Sequence, residues 1–399
     1  MSDAARHAAF YTPETDYGVT PTTPAFKPVR HTGMTLGVQR GSLQSEELRP
    51  DRQISDFRLG AISVAGDVKS ELSFASFDDF LEAVLMGTWT PKALMTAATT
   101  IGATASDSSF NDSNSGFIAA GFAVGDIIVV SGFTETDMNG RFKIVTLAAG
   151  KITVTAPNGD AIEFAGDENL SEPITIQSAE TVLKAGTVRR SFSMLRHFTD
   201  IEATGDGMPF HLFRGVEFNT LALAVKPTAI VSAAFGVLGR EGVSPSNTSP
   251  DGATFSDVLQ TSPLDAFSGQ LKHAGTVVGE VSEFSANLTN DLAVRNVVGS
   301  KLTLRPSVGR SNVTGSATVY FEDASFVKKF IDEEATSLSV ELPDGEGNSY
   351  IITIPKFKFT GGQPDVSGQG SITLTMPFQA VLDAATGSNI IINRIPAAV

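Results

Sequence analysis

Five histidines (His7, His31, His197, His211 and His273) are the imidazoles available for acid–base or metal chemistry, and cysteine is absent. None of the five forms an HExxH pair or stands at metal-ligand spacing, so each is read as structural. The chain contains no GxSxG elbow, Walker loop or GxGxxG turn. PDGEGNSY, residues 343–350, sets Asp344, Glu346 and Asn348 at alternate positions, as a calcium loop does. It lacks the bidentate acid at the required distance, and it joins SLSVEL to YIITI, so it is read as a hairpin turn. The acid pairs Asp78/Asp79 and Glu333/Glu334 fall at the ends of short helical patterns, where the helix dipole and solvation account for them. These residues point to no catalysis, no cofactor and no metal.

One stretch resists so plain an account. RGSLQSEELRPDRQISDFRLGAISV runs from Arg40 to Val64 and is dense in charges of both signs: Glu46, Glu47, Arg49, Asp51, Arg52, Asp56 and Arg58. It separates two strand patterns and is long for a simple hairpin, and long ordered loops in compact domains usually carry function. The expectation is a loop over Arg40–Gly60 that docks on a neighbouring subunit through paired charges.

The elements around it recur. Residues 66–85, GDVKSELSFASFDDFLEAVL, read as a strand followed by a short helix. Val68, Ser70, Leu72 and Phe74 alternate, and then Phe77, Phe80, Leu81, Val84 and Leu85 share one helical face. Ser76 is the expected N-cap, with Asp78 and Asp79 in the first turn and Gly87 as the stop. Residues 315–331, GSATVYFEDASFVKKFI, repeat the pattern: Val313, Gly315, Phe321, Ser325 and Phe326 stand 249 positions after Val64, Gly66, Leu72, Ser76 and Phe77. A second pairing sets Gly215–Leu238 against Lys356–Val381 at an offset of 141, with Phe218 matching Phe359 and Val231 matching Ile372. GMTLGVQR and SEFSANLT occupy similar places upstream. Two pairings in one order argue for duplication.

The difference between the offsets leaves 108 extra residues in the first copy (249 − 141), between its helix and the strand near Gly215. Within them, DIIVVSG, GRFKIVTLA, KITVTA and PITIQS are short strands, and MNGR, AAGK and PNGD are turn signals. A small inserted all-β domain, immunoglobulin-like or a barrel, is expected at 96–178. The first copy is then 1–95 with 179–240, a linker covers 241–268, and the second copy is 269–399. The first 25 residues and the tail NIIINRIPAAV read as arms, the tail packing either on a neighbour or as the last edge strand of its own domain.

The net charge is −15, of which residues 96–178 hold −7 (ten acids, three bases), so the rest is only mildly acidic at −8. Such a chain does not grip nucleic acid by neutralising phosphates. No charged-then-apolar leader and no long apolar run appear, so a soluble protein made in the cytoplasm is expected.

YGVTPTTPAFKPVRHTG, followed by SEELRPDRQISDFRLGAISVAGDVKSELSFASFDDFLEAVLMGTW, resembles the major tail tube proteins of long-tailed, non-contractile (siphovirus) bacteriophages. The second, longer stretch is the specific part. The resemblance implies a mainly β chain with two tandem tail-tube β-sandwich domains, each with a short flanking helix, plus the insert. It implies that subunits join inner sheets into a barrel-like ring and that rings stack into the conduit for DNA ejection. Tandem copies imply a trimer with pseudo-sixfold symmetry, a hexameric ring being the alternative. Partners are then other copies of the chain and tail proteins such as the tape measure, terminator and distal tail proteins. DNA is a transient passenger, and the location is the virion tail. Rival readings are another tube, baseplate or connector component, or a β-rich adhesin. A porin-like barrel lacks its aromatic girdles here, with four Tyr and one Trp.

Overall fold

A computed structural model describes residues 3–97, 99–169, 173–265, 270–277, 281–364, 366 and 371–398. The chain is mainly β. Its principal strands are β1 (His7–Pro13), β2 (Ala25–Pro28), β3 (Gly37–Gln44) and β4 (Phe57–Glu71), followed by helix α1 (Asp78–Leu85). Next come β5 (Thr181–Lys184), β6 (Phe192–Phe198), β7 (Phe210–Val225), β8 (Ser232–Gly239), β9 (Val281–Thr289) and β10 (Asn312–Tyr320). Helix α2 (Ser325–Ile331) precedes β11 (Thr336–Pro343), β12 (Ser349–Phe359), β13 (Thr373–Ala380) and β14 (Ile391–Ile395).

Eight strands form one antiparallel run in the order β3-β4-β8-β7-β9-β10-β13-β12. The run divides into two sets of four with the same strand order. Ser70 pairs with Ala233 in the first set, and Val319 pairs with Leu374 in the second. The differences, 319 − 70 = 249 and 374 − 233 = 141, are the offsets found along the sequence. Phe218 pairs with Val237 and Phe359 with Phe378, again 141 apart on both strands. The two sets meet where Thr220–Val225 of β7 pair with Thr289–Phe284 of β9.

A second layer covers the run. The first part of β7 pairs with β6, and β6 with β1. The later part of β7 pairs with β8, so one long strand serves both layers. At Gly215 the strand changes layers with φ +65°, and an added Cβ would meet Arg240 Cβ at 2.8 Å and the Tyr17 ring at 3.0 Å. In the same way β12 pairs first with β11 and β14, then with β13. Between the layers lies one buried cluster that includes Val64, Val68, Phe80, Phe218 and Phe235 and continues to Phe284, Val313, Phe357 and Phe378.

Several local expectations need correction. Ser76 does not cap α1: Phe77 stands at the cap without a side-chain hydrogen bond. Ser76 Oγ instead lies 3.3 Å from Arg30 and 3.3 Å from Thr261. The helix stops at Met86, which is left-handed at φ 51°, and not at Gly87. Close packing explains that glycine, because an added Cβ would stand 2.1 Å from the Lys184 carbonyl oxygen. Neither terminus is a free arm. β1 lies between β2 and β6, with Tyr11 buried, and β14 lies between β12 and β5, so it is not an edge strand.

Residues 94–178 build a separate eight-stranded sheet. Its strands include Ile127–Ser131, Gly140–Ala148, Lys151–Thr155 and Ile174–Ser178, together with short ones at Leu94–Ala97, Ile101–Thr104 and Ser109–Asp112. A separate buried cluster holds it together, with Phe110, Phe117, Ile128, Met138, Ile152 and Ile176 at its centre.

Candidate assembly surface

The expected loop at Arg40–Gly60 is largely a two-stranded ribbon. Strand pairing between β3 and β4 continues out to Gln44 and Phe57, leaving residues 45–56 as the tip. The ribbon exposes apolar side chains: Leu43 (65%), Leu48 (99%), Ile54 (63%), Phe57 (60%) and Leu59 (52%). All seven charged candidates sit on this exposed segment. Arg49 and Asp51 pair at 2.9 Å, Asp56 and Arg58 at 3.7 Å. The Asp51 contact raises the Arg49 pKa, and Asp51 in turn is held below the usual carboxylate range by Arg49. Glu46, Glu47 and Arg52 make no ion pair among the described residues. Arg52 closes the turn instead, its N–H donating to the Arg49 carbonyl at 3.1 Å with φ 59°.

A second hairpin occupies the matching place after β9, with strands Ala293–Arg295 and Leu304–Ser307. This one is seated on the first set of strands. Arg305 donates to Glu217 Oε1 at 2.6 Å, and Arg189 holds the other carboxylate oxygen. The Arg305 guanidinium also lies 5.4 Å from the Tyr17 ring centre. The Leu292 N–H donates to Asn219 Oδ1 at 2.8 Å, and the Ile62 N–H to the Lys301 carbonyl at 2.7 Å. Glu217 is 2% exposed, so two cations compensate one buried anion at the junction of the two sets.

Helix α1 lies at the same junction. Asp78 accepts a hydrogen bond from the Tyr350 hydroxyl and forms an ion pair with Arg394 at 2.9 Å. Asp79 takes Tyr11 at 2.9 Å and Lys27 at 2.6 Å. The reading of these acids as solvated helix-end groups is therefore corrected: they anchor tertiary structure. Burial pushes the Asp78 carboxyl up, against the opposing pull of Arg394. Asn290 Nδ2 donates to the Val84 carbonyl at 2.7 Å. Helix α1 buries five side chains, whereas α2 fully buries none and leaves Ile331 67% exposed.

The histidines, scattered in sequence, are partly gathered by the fold. Arg196 Nε donates to His7 Nε2 at 3.0 Å, His7 Nδ1 lies 2.8 Å from His31 Nε2, and His31 Nδ1 lies 3.0 Å from the Val29 carbonyl. This relay works only with both rings neutral. His197 stacks on Phe210, and His211 meets Phe198 edge-on. No group of three His, Asp or Glu able to hold a metal occurs among the described residues. At 343–350, Asp344 accepts from the backbone N–H groups of Glu346 and Asn348 at 2.8 and 3.0 Å, which is turn geometry.

Burial and then Arg196 lower the His7 pKa to about 4. Burial also lowers His197, His211 and His273. These values lie below the unfolded value near 6.5. The unfolded chain therefore binds more protons as the pH drops through that value, and stability falls from about pH 6.5 towards 4. The urea midpoint is expected to be lower at pH 5 than at pH 7.5, with a smaller drop in His7→Gln. Equal drops in both proteins would rule out His7 as a source.

A family profile described as phage tail tube protein matches residues 4–380. No curated protein matches the chain. Among solved structures, a phage phi92 endosialidase aligns over 93% of this chain and 65% of its own length, at 9% identity and a TM-score of 0.17. This chain thus spans less than two thirds of that one, and so low a score supports no argument from its fold.

Proposed function

The chain belongs to the phage tail tube protein family, and from that premise we propose that it polymerises as stacked rings into the tail conduit of a non-contractile phage. Each chain supplies two tube domains, so three chains make a pseudo-sixfold ring. The observation that carries this is the β7–β9 junction, where one four-stranded set joins an equivalent set edge to edge. Repeating that junction between chains satisfies the outer edge of β3, which has no ladder partner among the described residues. Residues 94–178, with their own core, form a module on the outside of the bore. DNA passes through without being held, and other tail proteins meet the ends of the tube.

Electron microscopy of assembled material with averaged end views tests this reading. Hollow tubes with three outer knobs per ring are expected. Six knobs would mean that each chain fills one position, and a monodisperse monomer under every condition would end the tube reading. The charged ribbon tip, Glu46 to Arg58, is assigned to contact between subunits. Changing Arg49, Arg52 and Arg58 together to Glu is expected to shorten or abolish tubes while leaving the melting temperature within about 2 °C of the parent, because all three are solvated in the monomer. Normal tubes from the triple variant would remove the tip from the interface.

A further inference from the structure

We propose that the junction between chains repeats the junction within the chain with its acid–base pair reversed, Lys358 of one chain facing Asp56 of the next. This inference rests on the ring assembly proposed above.

Within the chain, the second-set hairpin is pinned to the first set by Arg305 on Glu217, at 2.6 Å. The register of the two sets says which residues occupy the same places in the other pair. Glu217 precedes Phe218 on β7, and its equivalent 141 positions on is Lys358, which precedes Phe359 on β12. Arg305 lies on the hairpin strand leading to β10, and its equivalent 249 positions back is Asp56, on the ribbon leading to β4. The flanking residues agree on this alignment: Leu59, Gly60, Val64 and Gly66 match Val308, Gly309, Val313 and Gly315. The acid of the first set is thus a base in the second, and the base of the second hairpin is an acid in the first.

That exchange of sign selects partners. If the ribbon of one chain met the first set of another, Asp56 would face Glu217. If the second hairpin met a second set, Arg305 would face Lys358. Both mismatches place like charges together, whereas first ribbon on second set places opposite charges together. The partner is therefore a second copy of this chain, in head-to-tail order with the two sets alternating. Within each chain Arg305 already fills the Glu217 site.

Among the described residues of the free chain, both make exposed surface pairs, Lys358 with Glu333 at 3.4 Å and Asp56 with Arg58 at 3.7 Å. Such pairs contribute little and exchange readily. The backbone gives a reason for side chains to matter here. The stretch equivalent to the pairing part of β7 is GGQPDV, residues 361–366, in which two glycines and the missing N–H of Pro364 weaken a strand ladder. Helix α2 buries no side chain fully, and Glu333 just past its end pairs with Lys358, whereas Asn290 of the second set donates to the Val84 carbonyl of α1.

The test is a charge-swap series in the full chain, with tube formation followed by light scattering and electron microscopy and folding followed by circular dichroism melts. Lys358→Glu and Asp56→Lys are each expected to raise the concentration needed for tubes by at least about tenfold, as one juxtaposed like-charge pair would. The double variant is expected to return to within about threefold of the parent. Normal assembly of both single variants, or failure of the double variant to recover, would overturn the pairing while the parent's tubes kept the assembly reading intact. A parent chain that forms no ring under any condition would overturn the assembly reading and this inference with it. A second readout is independent of charge. The chain lacks cysteine, so Asp56→Cys with Lys358→Cys offers one pair to a short bismaleimide. Covalent ladders are expected from the pair and from neither single change, and their absence from formed tubes would also overturn the pairing.

Discussion

Phe80→Ala is expected to lower the stability of the main body by about 3–5 kcal/mol, the usual cost of emptying a buried aromatic site. Phe80 is 1% exposed and sits on the inward face of α1. Its ring centre lies 4.5 Å from Phe218, 4.8 Å from Tyr11 and 5.4 Å from Phe235, so it touches β7, β1 and β8 at once. Strands from both layers pack on this ring, and their backbones are fixed by ladders that prevent them from closing the cavity. Phe80→Leu should cost clearly less, because most of the volume is kept. Urea unfolding of the two variants beside the parent measures both numbers. A loss below about 1 kcal/mol in the alanine variant would mean that the site collapses and that α1 is not the keystone of this core.

Glu217→Ala is expected to cost about 3 kcal/mol, at the low end for breaking a buried ion pair. The glutamate side chain is 3% exposed, but its partners Arg189 and Arg305 are 22% and 35% exposed and can turn partly to water. Truncation leaves two guanidinium groups crowded at one site without an anion. Arg305→Ala should cost less, about 1–2 kcal/mol, since Arg189 still compensates the acid. The signature of this site is its location. Glu217 holds the 293–307 hairpin, so hydrogen exchange in that hairpin should quicken in Glu217→Ala before exchange elsewhere does. A uniform increase, or none, would place the stabilisation somewhere other than this junction.

Much of the architecture was readable before any coordinates because it rests on local period. The alternating residues of Val68–Phe74, GVEFNTLALAV and SITLTMPF mark which side of a strand is buried, and the strand positions followed. The offsets of 249 and 141 were readable for a related reason: equivalent strands must repeat the same in–out pattern in the same register. Short strands such as 101–104 and 109–112 were missed, since four residues carry too little period to stand out.

The candidate surface was read less completely. Its charges were visible as charges, and the stretch that carries the resemblance to tail tube proteins runs through Arg49, Asp51, Arg52 and Arg58. Its apolar component was not visible, because Leu48, Ile54 and Phe57 look like core residues until the ribbon is seen to leave the core. The helix ends were misread at Ser76 and Gly87 because tertiary partners, Arg30 and the Lys184 carbonyl, used those residues for other purposes.

By itself, then, the amino-acid sequence determined the β class, the positions of the long strands and the family, all of which depend on period and on contiguous motif. Only the tertiary structure decided what meets across long separations. It paired Glu217 with Arg305, carried Asp78 to Tyr350 and Arg394, brought His7 and His211 edge-on to Phe198 and His31 to His7, and set β7 against β9. Periodicity says which face of an element is buried, but it carries no label for the partner, and a partner tens to hundreds of residues away is chosen by the packing of the whole chain.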